Sequence, residues 1–266
     1  MLDTFQNTLL VFAITVLSLG CLLVLNWFWP AVRRREHNDL IGWQLSILGT
    51  TYAVILGFML YTVWTDYGLA EANVDAEANA ITNVYELAAG LPAPQRMRVQ
   101  ALARQYGDVL VEQDWPEMAR LEVPVASRRV NDALWQAVAG GVAGVSGTVG
   151  SGTISGAGVN GPAADHMMSE LEVLTTHRQM RLLQSTSTLP AVLWWVLNMG
   201  GTLTLLSTCL FGSLSVRVHA LQVASLSLLI GLVLAAIADI NRPFQGAVHV
   251  GTASVERARD TMRPMQ

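Results

Sequence analysis

The stretch "TYAVILGFMLYTVWTDYGLAEANVDAEANAI", residues Thr51 to Ile81, decides how this chain is built. It begins as an apolar run and ends rich in alanine and acid. From Asp66 onward only Gly68 interrupts the helix formers, and one glycine costs a helix about 1 kcal/mol. The stretch therefore predicts one helix that leaves a bilayer and continues to about Ala89. Its apolar part, from Gln44 to Trp64, has the ~20 residues a helix needs to cross a hydrocarbon core.

Three more runs of that kind lie outward from it, at Leu9 to Trp29, Pro190 to Phe211 and Ala220 to Ala238. The composition agrees with them. Of 266 residues, 52% are hydrophobic and 14% charged, with a mean hydropathy of +0.40. A soluble domain carries about a quarter charged residues. The expectation is an all-α membrane protein with four transmembrane helices and a helical extramembrane insert between the second and third. The first run could instead be a signal peptide, since "LSLGC" resembles a lipoprotein cleavage box. Its leading residues hold Asp3 and no arginine, whereas the basic run "RRREHND" follows it, so it reads as a retained span.

Residues 1–64 then hold the first two spans, 65–188 the insert, 189–239 the last two spans and 240–266 a C-terminal tail. In the insert, Val99, Leu102, Tyr106, Val109 and Leu110 recur at helical spacing, as do Met167, Leu171, Leu174 and Leu182. Pro92 and Pro94 mark a break between helices. The glycine-rich segment at 139–162 matches no phosphate-binding pattern and reads as a flexible insertion.

Arginine counts near span ends set the expected orientation. Arg33, Arg34 and Arg35 fall between the first two spans and Arg217 between the last two; Arg178, Arg181 and Arg242 lie near the opposite ends. The bias places both short loops in the cytoplasm and the insert in the periplasm of a bacterial inner-membrane protein.

Little here suggests catalysis. Every basic residue apart from histidine is arginine, so lysine chemistry is excluded. Cys21 and Cys209 lie in apolar runs and read as small hydrophobes. His166, Glu170 and His177 fall near one helical face but lack the ligand spacing of a metal site, and read as a solvated face. No HExxH, CxxC or GxSxG occurs. No enzyme, metal, cofactor or nucleic-acid partner is expected; the partners are the lipid bilayer, inorganic ions and further copies of the chain.

The long second helix offers a different possibility. Steps of three and four residues pass through Thr50, Ala53, Gly57, Leu60 and Trp64, then Gly68, Glu71, Asp75 and Asn79. That face is small or apolar through the span and acidic beyond it. Around an axis of several copies it would form an apolar throat, then charged rings at Glu71 and Asp75, with a lean towards cations. The alternative is helix packing inside one subunit with a solvated acidic face.

The stretch "IADINRPFQGAVHV", Ile237 to Val250, closes the last span. Asp239 and Arg242 stand i, i+3 at a helix end, Pro243 stops the helix and Gly246 permits a turn. With Phe244 these residues read either as a membrane-interface anchor or as a latch onto the long helix near Glu71 or Asp75.

Three of these segments, "RRREHND", "TYAVILGFMLYTVWTDYGLAEANVDAEANAI" and "GSLSVRVHA" through "IADINRPFQGAVHV", resemble the bacterial bestrophin-like membrane protein family, distantly related to bestrophin channels. The resemblance covers about half the chain. It implies a pentameric channel subunit whose second span lines the pore, with a regulatory stretch after the fourth. Asn241, Pro243, Phe244 and Gly246 echo the Asn-Pro-Phe-Gly of bestrophins, with Arg242 and Gln245 interposed. The acidic calcium clasp that follows in bestrophins is replaced by "AVHV", a departure from the pattern by which the resemblance would imply calcium gating. The resemblance also implies a cytoplasmic insert, opposite to the arginine bias. The function expected is an oligomeric ion channel; the rival is a non-conducting scaffold or sensor whose insert binds a partner.

Overall fold

A computed structural model of the chain describes residues 4–143 and 162–263. Most of the glycine-rich insertion read at 139–162 lies outside them. Among the described residues every regular element is helical. In chain order these are α1 (Thr4–Phe28), α2 (Ala31–Arg34), α3 (Asn38–Leu87), α4 (Ala93–Val109), α5 (Trp115–Ala119), α6 (Ala126–Ala143), α7 (Pro162–Thr186), α8 (Ala191–Leu210), α9 (Val216–Ile240) and α10 (Ala253–Met262). Four of these stretches are long and apolar enough to cross a membrane: Asn7–Phe28, a part of Ala31–Gly90, Ala191–Leu210 and Val216–Ile240.

The 50 residues of α3 form one helix, about 75 Å long at 1.5 Å per residue. That is more than twice a hydrocarbon core of ~30 Å. Gly68 does not break it, because neither neighbouring turn carries proline. Proline sets several other helix starts. Pro92 is extended (φ −54°, ψ 144°) and Pro94 occupies the first turn of α4, where a missing N–H costs nothing. Pro190 starts α8 in the same way.

The chain forms two compact units. The first comprises residues 1–67, 188–242 and 246–248. Here α1 packs on α9 and α8, and α8 on α9. Tyr52, Leu56 and Val63 of α3 join Leu197, Ile230, Leu234, Ile237 and Ile240 in one buried cluster. Leu22, Cys209 and Val223 form a second. Close approach needs small residues: a Cβ at Gly200 would lie 2.5 Å from the Tyr52 ring, and one at Gly231 3.2 Å from Val11. The two short loops of this unit meet. The Asn38 side-chain amide pairs in both directions with the Gly212 backbone, at 2.8 and 2.9 Å. Arg34 is fully buried and donates to the Asn26 side chain and the Cys209 carbonyl. Of the arginine triplet, only Arg33 and Arg35 are therefore left to mark a membrane flank.

The second unit comprises residues 68–187, 243–245 and 249–266. In it α4 packs on α6 and α10, and α6 on α7. Ala70, Val74, Ala78, Ile81 and Val84 give α3 a buried stripe at helical spacing. On α7 the buried stripe runs Met167, Leu171, Leu174, Arg178, Arg181 and Ser185. The helical spacing of Met167, Leu171, Leu174 and Leu182 is that of α7; Leu182 is half-buried beside the stripe, which helical geometry carries through two arginines. Within the stretch 240–266 expected as a tail, the described residues after α9 form a turn and then α10. Arg259 of α10 bonds Asp108 at 2.8 Å, and Val255, Ala258 and Met262 are buried.

Candidate pore-lining helix

The spanning part of α3 has two unlike faces. One carries Tyr52, Leu56 and Val63, buried against α8 and α9. Tyr52 donates its hydroxyl to the Leu197 carbonyl at 2.9 Å, which fixes that face against α8. The other carries Thr50, Ala53, Gly57 and Trp64, all exposed. Leu60 lies at the border, half-buried against the cluster. A Cβ at Gly57 would meet nothing within 4 Å, and neither would one at Gly49 or Gly68. These glycines differ from Gly200: contacts inside the chain do not require them.

By register the exposed face continues to Glu71 and Asp75, whose environments differ. Glu71 is exposed. Asp75 is half-buried and accepts the Ser254 hydroxyl, which itself accepts from Arg257 at 2.8 Å. A ring of Glu71 would thus be open to solvent, and a ring of Asp75 partly screened by Arg257.

The stretch after α9 is divided between the units. In the first, Asp239 holds a tight turn: its carboxylate accepts the N–H of Ala247 at 3.1 Å and of Val248 at 3.0 Å. Gly246 sits in that turn at φ +86°, and a Cβ there would collide with Asp239 Oδ1. In the second unit, Pro243 is buried and its carbonyl accepts the Val250 N–H at 2.7 Å. Phe244 packs edge-on to Trp115, with ring centroids 5.9 Å apart. Gln245 donates to the Met118 carbonyl at 3.0 Å, and Trp115 to that of Val250 at 3.1 Å. The aromatic seat of this stretch is thus Trp115 on α5. Arg242 is half-buried.

Sequence reasoning passed over a buried ionic network in the second unit. Arg181 donates to both oxygens of Glu77, at 2.7 and 3.2 Å, and to Asp114 at 3.0 Å. All three side chains are essentially inaccessible. The Tyr106 hydroxyl donates to Glu77 at 2.6 Å, and the Arg181 guanidinium lies 5.5 Å over the Trp115 ring. A π-helical turn at Leu110–Asp114 precedes α5, with Asp114 as its last residue. Burial, reinforced by the negative charge of Glu77, pushes the Tyr106 phenol well above its ordinary range. Burial pulls the Arg181 guanidinium down, but Glu77, with Tyr106 and Asp114, more than offsets this and holds it charged. The signal was present in the sequence: an acid at Glu77 and arginines at Arg178 and Arg181 fall on otherwise small or apolar stripes.

The histidine face has ordinary partners. His177 hydrogen-bonds Asn73 at 2.9 Å, and Glu170 accepts from Asn83 at 3.1 Å. Among the described residues no three His, Cys, Asp or Glu side chains gather as a metal site.

A family model for the bestrophin-like domain matches residues 12–255. Solved structures of a bacterial bestrophin homologue from Klebsiella pneumoniae are similar over nearly the whole chain. One mutant aligns with a TM-score of 0.68 at 12% identity, covering 95% of this chain and 97% of that one. Another aligns at 0.67 and 14% identity, covering 95% and 96%. A structure described only as a membrane protein mutant aligns at 0.69 and 12% identity, covering 95% and 97%. At such identities the likeness shows a shared fold. No curated protein sequence matches the chain.

Proposed function

The chain belongs to the bestrophin-like family, and from that premise we propose that it is a subunit of a homo-oligomeric ion channel in a bacterial inner membrane, with α3 lining the path. The observation that carries this reading is the unused face of α3. Thr50, Ala53, Gly57 and Trp64 are exposed, and Gly57 is small without a contact in its own chain to require it. Copies around an axis, five by the resemblance, would bring that face together. Leu60 and Trp64 are its bulkiest members and supply a dry constriction, where an apolar ring gates by excluding water. Glu71, exposed on the same face, would concentrate cations, with Asp75 contributing less because of its Ser254 and Arg257 partners. The chemistry is conduction, with no covalent step for the chain to catalyse.

The arginine bias places the short loops in the cytoplasm and the insert in the periplasm. The family resemblance implies the reverse for the insert. Labelling of a cysteine introduced at Gly150 in intact cells decides: labelling supports the periplasmic placement, and labelling only after lysis reverses it.

The second reading is a non-conducting scaffold or sensor. It is favoured by the size of the second unit, which has a charged interior of its own. Purified protein in planar bilayers separates the two. The channel reading expects current, an increase of about tenfold or more for Leu60→Asp because a charged ring stays wet, and reduced cation preference for Glu71→Gln. Silence in the parent and in Leu60→Asp alike would establish the scaffold reading.

A further inference from the structure

Two buried arginines stand one turn apart on α7, and their donors are used very differently. Arg181 bonds two carboxylates and the Met118 sulfur. Arg178 is 6% exposed. Its hydrogen bond among the described residues runs from Nε to Ser127 Oγ at 3.0 Å. A guanidinium carries five N–H groups in a planar fork, so the terminal pair of Arg178 has no described protein acceptor.

Arg178 lines a cleft of ≈450 Å³ in the second unit, walled by Val123, Pro124, Val125, Leu182 and the first turns of α6. Its size lies within the roughly 300–1,000 Å³ of small-molecule sites. Asn131 and Thr175 also line it, but they bond one another at 3.1 Å and so shape the wall. Asp132 on the rim faces Arg128 at 4.0 Å. The charge of Arg178 is balanced at a distance, because Glu77 and Asp114 together outnumber Arg181. Its terminal N–H groups are not sealed inside the protein but open on the cleft, where a ligand can reach them.

We propose that this cleft binds a small aliphatic carboxylate. The two carboxylate oxygens accept from Nη1 and Nη2 of Arg178 as a planar, bidentate pair. The hydrocarbon chain lies along Val123, Val125 and Leu182. An inorganic oxyanion would leave that apolar wall wet, and a neutral amide would lose the charge-assisted bonds. This site is separate from the α3 face and does not rest on conduction.

The test is calorimetric titration of the purified full-length protein with butyrate, butyramide and inorganic phosphate. Butyrate should bind saturably, with butyramide and phosphate each weaker by about tenfold or more. Arg178→Lys keeps the charge and loses the fork, so butyrate should weaken by about tenfold. Val125→Trp fills the cleft from its exposed wall and should abolish binding with the melting temperature unchanged. If Arg178→Lys does not fold, Val125→Trp and the amide comparison decide. Equal affinity for butyrate and butyramide, preference for phosphate, no saturable heat, or binding unchanged by Val125→Trp would each overturn the proposal.

Discussion

The two units of this protein bury arginine in opposite ways. In the first, Arg34 is fully buried and its partners are neutral: the side chain of Asn26 and the carbonyl of Cys209. In the second, Arg181 is equally buried and holds two carboxylates. The rest of their packing differs in the same sense. The first unit turns large apolar residues outward, including Phe58, Tyr61 and Trp195. Its helices are brought together by close approach at Gly200 and Gly231 and by the Tyr52 hydroxyl. In lipid there is no hydrophobic gain from pressing one apolar helix against another, so small residues and interhelical hydrogen bonds carry association. The second unit buries apolar stripes and an ionic network, and keeps most remaining charges exposed, as a domain in water does. One helix, α3, follows both regimes along its length.

That contrast can be broken most sharply at Glu77. Glu77→Ala would leave Arg181 with Asp114 alone and strand buried donors. Removing one partner of a buried pair costs about 3–5 kcal/mol. The second unit should lose its cooperative melting transition, while the helical signal of the first persists. Replacing Glu77, Asp114 and Arg181 together by Leu, Leu and Met should recover much of that loss. A single transition unchanged in Glu77→Ala would show that the network does not hold the unit together.

Two glycines provide the next comparison. Gly246 has φ +86°, and a Cβ would collide with Asp239 Oδ1; left-handed strain alone costs a non-glycine residue about 1–2 kcal/mol. Gly246→Ala should therefore lower the melting temperature by several degrees. Gly57→Ala adds a methyl group into open space within the chain and should not destabilise the isolated subunit; helix propensity alone favours alanine by up to about 1 kcal/mol. If subunits close around α3, Gly57→Ala should shift the oligomeric state measured by mass photometry. A lower subunit melting temperature for Gly57→Ala would place the need for that glycine inside the chain.

The buried phenol gives the contrast a pH axis. The folded-state value for Tyr106 is raised, so above about pH 10, the ordinary tyrosine value, the unfolded chain releases a proton that the folded chain retains. Stability is then complete below pH 10 and falls as pH rises beyond it. Tyr106→Phe should cost about 1.5–3 kcal/mol at neutral pH, since the hydrogen bond to charged Glu77 is lost. It should also flatten the alkaline decline. A decline equally steep in Tyr106→Phe would assign it to another group.

The smallest effect is expected at Leu121. It stands at φ +65° after α5, where the Glu122 N–H reaches the Glu117 carbonyl at 3.0 Å and the Leu121 N–H reaches that of Met118 at 3.0 Å. This helix end favours glycine. Leu121 is exposed, so Leu121→Gly loses little packing and should stabilise the second unit by about 1 kcal/mol. A lower melting temperature would show that the Leu121 side chain contributes contacts that outweigh the backbone strain.

Much of the architecture was legible because it depends on local chemistry. Runs of apolar residues long enough to span a bilayer, prolines at helix starts and the lack of a breaker in Thr51–Ile81 fixed the helices without any partner. The turn at Gly246 was legible for the same reason, since a glycine after a proline stop signals a backbone need. The aromatic seat of Phe244 on Trp115 was not, because the two lie far apart in sequence and either could pack elsewhere. The ionic network was legible only in outline: charges on apolar stripes at Glu77, Arg178 and Arg181 announce buried partners without naming them.

The sequence by itself determined that this is a four-span helical membrane protein with one helix far longer than a bilayer is thick, because spacing and hydropathy along a helix are properties of neighbouring residues. Tertiary structure alone decided which charges meet: Arg181 takes Glu77 and Asp114, Arg34 takes a carbonyl and an amide, and Arg178 is left with a cleft. Pairing energies fall steeply with separation and depend on burial, and both are set only when distant helices pack.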